Sequence, residues 1–173
     1  MAASTPSVRP LTPTDPRLGP WRAFLLAHAR VARRLDDELR SEHDLSLAEY
    51  DALLILAEAP GRRTRMNQLA DRLLLSRSGV TRLVDRLVAD SLVTRDACLS
   101  DARGAEAVLT DAGLSRLGAA AKTHLRGIDA HFLSIVGPDD RSVLERVLAA
   151  VAERADAPGG DACADLEEVA RVR

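Results

Sequence analysis

Cysteine is scarce in this chain. The two present, Cys98 and Cys163, stand far apart in 173 residues, which excludes a disulfide framework and a cysteine-rich zinc site. Long apolar runs are missing too, since no stretch approaches the roughly 20 residues of a membrane span. The first segment, Met1 to Pro20, holds five prolines and no apolar h-region, so it does not read as a secretory signal. Among 24 basic residues only Lys122 is lysine; in an alanine-rich chain this reflects a GC-rich genome and says little about function. There is no glycine-rich phosphate loop, no nucleophile elbow and no His–carboxylate spacing suited to catalysis, which argues against an enzyme. No two of the four histidines, His28, His43, His124 and His131, are four residues apart, the spacing that sets two metal ligands on one helix face. No metal or other cofactor is expected, and the chain reads as cytoplasmic with no membrane partner.

The composition that remains, 46% hydrophobic and 29% charged, is that of a globular protein with enough apolar residues for a real core. The net charge of −2 is unevenly spread. Between Gly61 and Gly104 there are nine Arg and no Lys against five Asp and no Glu, giving +4 and leaving −6 for the remainder. A basic middle between acidic flanks points to an anionic partner, with nucleic acid the first candidate; a solvated face is the plain alternative.

Met1 to Pro20 reads as a flexible Pro-rich arm. From Trp21 a helical stripe runs through Phe24, Leu25, His28, Val31, Leu35 and Leu39. Ser46 and Glu49 form a capping box, with Leu45 and Tyr50 as a hydrophobic staple. The helix they open turns Tyr50, Leu53, Leu54 and Ala57 inward and ends at Ala59-Pro60-Gly61. Asn67 is expected to cap a short third helix. Ser76 caps a fourth, whose Val80, Leu83, Val84, Leu87 and Val88 give the cleanest amphipathic pattern in the chain. The period then changes. Leu92 to Arg95 and Ala105 to Leu109 read as strands of a hairpin with a charged tip. Thr110 caps a long helix with Leu114, Leu117, Ala121, Leu125, Ile128 and Phe132 inward, and Gly137-Pro138 separates it from a last helix using Val143, Leu144, Val147, Leu148 and Val151. Residues 155–173 read as a flexible acidic tail. The order is mainly α within an α+β class. Two short helices, a tight turn and a two-stranded wing make a winged helix-turn-helix.

Several segments carry a resemblance. They are Leu45-Ser46-Leu47-Ala48-Glu49-Tyr50, Met66-Asn67-Gln68-Leu69-Ala70, the run from Leu75 through Ser76-Arg77-Ser78-Gly79-Val80-Thr81-Arg82 to Leu87, and Leu92-Val93-Thr94-Arg95. Asp101-Ala102-Arg103-Gly104 and Leu109-Thr110-Asp111-Ala112-Gly113 complete the set. In this order and spacing the sequence resembles the MarR family of bacterial transcription regulators over roughly residues 21–152. The resemblance implies a homodimer binding double-stranded DNA. A domain over 21–154 would hold a DNA-binding lobe at about 46–110 and dimerisation helices at about 21–42 and 111–154. It further implies a ligand-responsive repressor on a pseudo-palindromic operator, with a small aromatic or anionic effector. A winged-helix module that binds protein instead of DNA is the alternative.

Within this frame the fourth helix is the candidate recognition helix. Ser76, Arg77, Ser78, Thr81 and Arg82 lie at its start or on its polar arc, where Arg can make paired contacts to guanine and hydroxyls can reach phosphate or base; Gly79 permits close approach. Asp85 and Arg86, one turn on, can instead pair with neighbours on the protein. Arg103 at the wing tip suits a narrow, electronegative minor groove, and Asp101 is expected to orient the wing by pairing with an arginine, Arg95 being a candidate. Arg62, Arg63 and Arg65 read equally as phosphate contacts or a solvated loop. Trp21, His28, Tyr50 and Asp51 are the candidate effector pocket, with ordinary core packing the competing reading; His28 is expected on the buried stripe. Cys98, beside charges of both signs, lacks the clear electropositive setting of a redox sensor.

Overall fold

A 25-residue helix, α1 (Gly19–His43), opens the fold in the computed structural model, which describes residues 10–97 and 105–156. The expected arm is shorter than Met1 to Pro20: Pro16–Leu18 already form a 3₁₀ turn, capped by the Asp15 carboxylate, and Pro20 sits in the first turn of α1. The chain divides after Phe132 into two compact units.

In the first unit, α2 (Leu47–Glu58) is the central helix. The capping box forms as expected: the Glu49 N–H donates to Ser46 Oγ (3.2 Å) and the Ser46 N–H donates to Glu49 Oε2 (2.8 Å). A further orphan donor of that first turn, the Leu47 N–H, is met by Asp36 Oδ1 of α1 (2.8 Å), so two helices are joined through one helix end. The buried face of α2 differs from expectation. Ala52, Ile55 and Leu56 are buried with Tyr50 and Leu53, whereas Leu54 is exposed. Helices and strands pack on several sides of α2, so its apolar residues run nearly all round and periodicity alone misassigns its outer side.

A 3₁₀ turn at Pro60–Arg62, with Gly61 at φ 64, leads into a strand that periodicity did not reveal, β1 (Arg63–Arg65). It is followed at once by α3 (Met66–Arg72). The helix therefore starts from Arg65, with no side-chain cap, and Asn67 lies inside its first turn, not at the cap. α4 (Arg77–Ala89) does carry its expected cap, with the Gly79 N–H donating to Ser76 Oγ at 3.1 Å. β2 (Val93–Ala97) and β3 (Ala105–Leu109) form the hairpin, and β1 adds to β3, giving an antiparallel sheet in the order β1-β3-β2. Thr64 pairs with Ala107 and Arg95 with Ala107 from the other side. Cys98, Asp101 and Arg103, in the sequence between β2 and β3, and Cys163 near the C-terminus lie outside the described residues.

The helix after the hairpin, α5 (Asp111–Ile128), is capped by Thr110 as expected and runs on through a π turn at Asp129–Leu133. Only part of the expected stripe faces inward: Leu117 is buried, and Leu114 and Ala121 pack against the core. Leu125 is exposed, and the buried residues are Gly113, Leu117, Ala120, Thr123 and Gly127. Small residues let α1 and α5 approach closely: a Cβ on Gly127 would lie 2.6 Å from both Glu38 Oε2 and Leu35 Cδ2. Polar contacts line the same seam. Thr123 Oγ1 donates to Glu42 Oε2 (2.8 Å), Arg126 Nη2 donates to Glu42 Oε1 (2.6 Å), and His131 Nε2 lies 2.7 Å from Glu38 Oε1. Because the Thr123 hydroxyl gives its one proton to Glu42, the His43 Nε2 at 2.8 Å must be the donor to it. Over its whole length α1 buries only Leu35 and Leu39; every residue from Trp21 to Arg30 is exposed, His28 included. The expected stripe is present in sequence, but nothing in this unit covers its first half.

The second unit holds α6 (Pro138–Asp156). The Gly137 carbonyl accepts from the Asp140 and Arg141 N–H groups, and Arg141 reaches back to the Val136 and Leu133 carbonyls. Val143, Val147 and Val151, spaced by four, are exposed along this helix. Among the described residues no helix is long and apolar enough to cross a membrane.

Candidate nucleic-acid interface

The polar arc of α4 is set by what its other side buries. Val80, Leu83, Val84 and Leu87 are in the core, which leaves Arg77, Ser78, Thr81, Arg82, Asp85 and Arg86 exposed. The structure sorts the expected contact residues by what already holds them. Ser76 is occupied as the cap and lies 3.2 Å from Ser78 Oγ. Thr81 Oγ1 donates to the Arg77 carbonyl at 2.8 Å, so its proton is committed to the helix and only acceptor capacity remains. A Cβ at Gly79 would come 3.2 Å from Ser76 Oγ; glycine there spares the cap from crowding.

The arginines of the basic segment divide sharply. Arg86 Nε donates to Glu49 Oε1 at 2.7 Å, tying α4 to α2. Arg95 on β2 pairs with Asp85 (2.8 Å) and donates to the Thr81 carbonyl (3.0 Å), so it mounts the hairpin on α4. Asp101, for which Arg95 is a candidate partner, lies outside the described residues. Arg62 pairs with Asp111 at 3.0 Å, Arg63 with Glu106 at 3.5 Å, and Arg72 with Glu58 at 3.4 Å. Arg77 and Arg82 have no ion-pair partner among the described residues. Arg77 and Arg82 therefore leave positive charge without an ion-pair partner among the described residues on the outward face of α4. Position along α4 marks Arg86 in the sequence as able to pair on the protein, but only the fold supplies the partner, Glu49.

Glu49 has its own pH consequence. Burial, the largest influence, opposes its ionisation, but hydrogen bonds from Ser46 and Arg86 together outweigh it and hold the carboxyl below the ordinary 4.5. A carboxylate with a depressed folded value stabilises above its unfolded value and loses that contribution as pH falls through the folded one. Acid titration from about pH 5 to 3 should therefore destabilise the wild type more steeply than Glu49→Gln. Parallel slopes in melting temperature against pH would show that Glu49 contributes nothing there.

The four candidate effector residues fall into two groups. Trp21 and His28 belong to an exposed run with Phe24 on α1, with successive ring centroids 6.1 and 6.2 Å apart. Tyr50 and Asp51 lie on α2, where the Tyr50 ring meets that of His124 at 4.3 Å. Burial pushes the Asp51 carboxyl up against the pull of His124, and pushes the His124 imidazole down against that of Asp51. His124 Nδ1 is buried with no hydrogen-bond partner among the described residues. His124 escaped the sequence reading because a lone histidine on a helix gives no pairing signal.

Known proteins share this architecture. The MarR family profile matches residues 43–104, from the end of α1 to the residue before β3. AbsC, a MarR family transcriptional regulator from Streptomyces coelicolor, is 31% identical over 87% of this chain and 100% of its own, with a TM-score of 0.77. Sco3205, a MarR family regulator from the same organism solved in complex with DNA, is 30% identical over 91% and 97%, with a TM-score of 0.79. A MarR family regulator from Silicibacter pomeroyi is 30% identical over 80% and 94%, at 0.67. No curated protein matches the chain. With the capped helix-turn-helix, the three-stranded wing and these likenesses agreeing over nearly the whole fold, the chain belongs to the MarR family of winged-helix transcriptional regulators.

Proposed function

We propose that this protein is a sequence-specific DNA-binding regulator that acts as a homodimer on a pseudo-palindromic operator and represses transcription until a small aromatic or anionic effector releases it. In this reading α4 enters the major groove, with Arg77 and Arg82 toward the DNA and Ser76, Ser78 and Thr81 as secondary contacts, while Arg103 on the wing enters the adjacent minor groove. The observation that carries it is the sorting of arginines: those of the lobe with a protein partner brace the fold, and Arg77 and Arg82 on α4 are left to meet phosphate or base. The DNA complex of Sco3205 supports the same use of the fold. Dimerisation is supported by the uncovered apolar residues of α1 and α6, Trp21, Phe24 and Leu25 on the first and Val143, Val147 and Val151 on the second. Tyr50, Asp51 and His124 supply the polar and aromatic groups of an effector site on α2 and α5, and Trp21 and His28 supply rings that a partner subunit can cover.

Titration of the protein against duplex DNA from upstream of its own gene, at several salt concentrations, tests this reading. Log affinity should fall against log salt with a slope of about −0.9 per phosphate neutralised, and sedimentation should give a dimer at micromolar concentration. Failure to bind any duplex, or a flat salt dependence, leaves the protein-interaction module as the better account.

A further inference from the structure

Three helices of the first unit end on a residue in the left-handed region, and none of the three is glycine: Asp44 (φ 53), Leu74 (φ 53) and Ser91 (φ 62). Two are short polar residues that tolerate this backbone. Leu74 is not. It closes α3 in a Schellman arrangement, with the Leu74 N–H donating to the Asp71 carbonyl (3.2 Å) and the Leu75 N–H to the Ala70 carbonyl (3.0 Å). That position favours glycine because any Cβ crowds the backbone there. Leu73 and Leu75 on either side pack against the core. Leu74 is 92% exposed, so its side chain adds no folding energy to offset the strained backbone it occupies. A strained residue that contributes nothing to the fold is where a functional contact is to be sought.

Its location indicates the contact. Leu74 precedes the Ser76 cap by two residues and Arg77 by three, so its Cα lies within about 11 Å of that of Arg77. It stands in the turn that leads into α4, just before the Ser76 cap, with its side chain almost wholly in solvent. We propose that Leu74 is a DNA-contacting residue, whose isobutyl group is buried against the apolar surface of the duplex beside the phosphates that Arg77 meets. This rests on the DNA-binding reading above. The apolar surface is either deoxyribose or the C5-methyl of thymine, the one strongly apolar feature of a major-groove base edge.

The test separates stability from binding in the full-length protein. Leu74→Gly should raise the melting temperature by a few degrees, because it relieves the left-handed backbone, and at the same time weaken operator binding about tenfold through lost apolar burial. Leu74→Asn, which also tolerates this φ without adding backbone freedom, should lose affinity similarly. Leu74→Met should bind as wild type does. Operator in which uracil replaces thymine then identifies the source: if the difference between wild type and Leu74→Gly vanishes, the contact is to the methyl group, and if it persists, to the sugar. Leu74→Gly that binds the operator as tightly as wild type overturns this proposal alone. A wild-type protein that binds no duplex removes the DNA reading and this proposal with it.

Discussion

Gly113→Ala is expected to cost this protein about 3 kcal/mol or more of folding stability, a large effect for one added methyl group. Gly113 is buried in the first turn of α5, where its N–H donates to Thr110 Oγ1 at 2.9 Å. The same hydroxyl donates back toward the Ser91 and Leu92 carbonyls at 2.9 and 3.0 Å, and the Thr110 N–H also reaches the Leu92 carbonyl, at 3.1 Å. These bonds pull the start of α5 onto the start of the wing. A Cβ on Gly113 would stand 2.1 Å from the Leu92 carbonyl oxygen and 2.7 Å from Leu109 Cδ1. The first neighbour is backbone and cannot swing aside, so α5 or β2 must shift. Gly118, in the same helix, is the control: nothing lies within 4 Å of its Cβ position. Gly118→Ala should stabilise by about 0.5–1 kcal/mol through helix propensity. Urea denaturation of the two variants decides the matter, and equal stabilities would mean that α5 does not sit this close to the wing.

Arg82→Ala should weaken operator binding by about 1–3 kcal/mol and relax specificity at particular base pairs, with the melting temperature unchanged. The second half follows from structure: Arg82 is exposed and has no ion-pair partner among the described residues, so nothing in the fold is lost with it. Arg77→Ala should weaken binding more evenly across sequences and reduce the salt slope by about one for each half-site. Arg86→Ala gives the opposite pattern. Its guanidinium holds the buried Glu49 carboxylate at 2.7 Å, and its removal strands that charge; stability should fall while the salt slope stays as in wild type. Anisotropy titrations over a salt series, with melting curves alongside, read all three. Variants at Arg77 and Arg82 that bind as wild type would reject α4 as the reading helix. Loss of affinity on Arg86→Ala with unchanged stability would show that this arginine, too, faces DNA.

The features legible in the amino-acid order are local ones. Capping at Ser46, Ser76 and Thr110 depends on side chains three residues or fewer from the groups they satisfy, and each cap forms where the sequence predicts it. The amphipathic face of α4 and the hairpin follow from periods of 3.6 and 2 along a single element. These settled the winged helix-turn-helix. Whatever depends on a neighbour far away in the chain had to wait for the folded arrangement. β1 is three polar residues long and exists because β3 supplies its hydrogen bonds. The inward face of α5 is mostly glycine, alanine and threonine because α1 lies close, and a pattern search weighted toward large apolar residues selects Leu125 instead, which is exposed. The charge of an arginine is written in the sequence, but its partner is not: Arg82 and Arg86 sit four residues apart on one exposed arc, and the position of Glu49 on α2, 37 residues from Arg86, makes one a brace, while the other has no ion-pair partner among the described residues. Ion pairing acts through space over a few ångströms, so a site assembled from several elements stays invisible until the chain has folded them together.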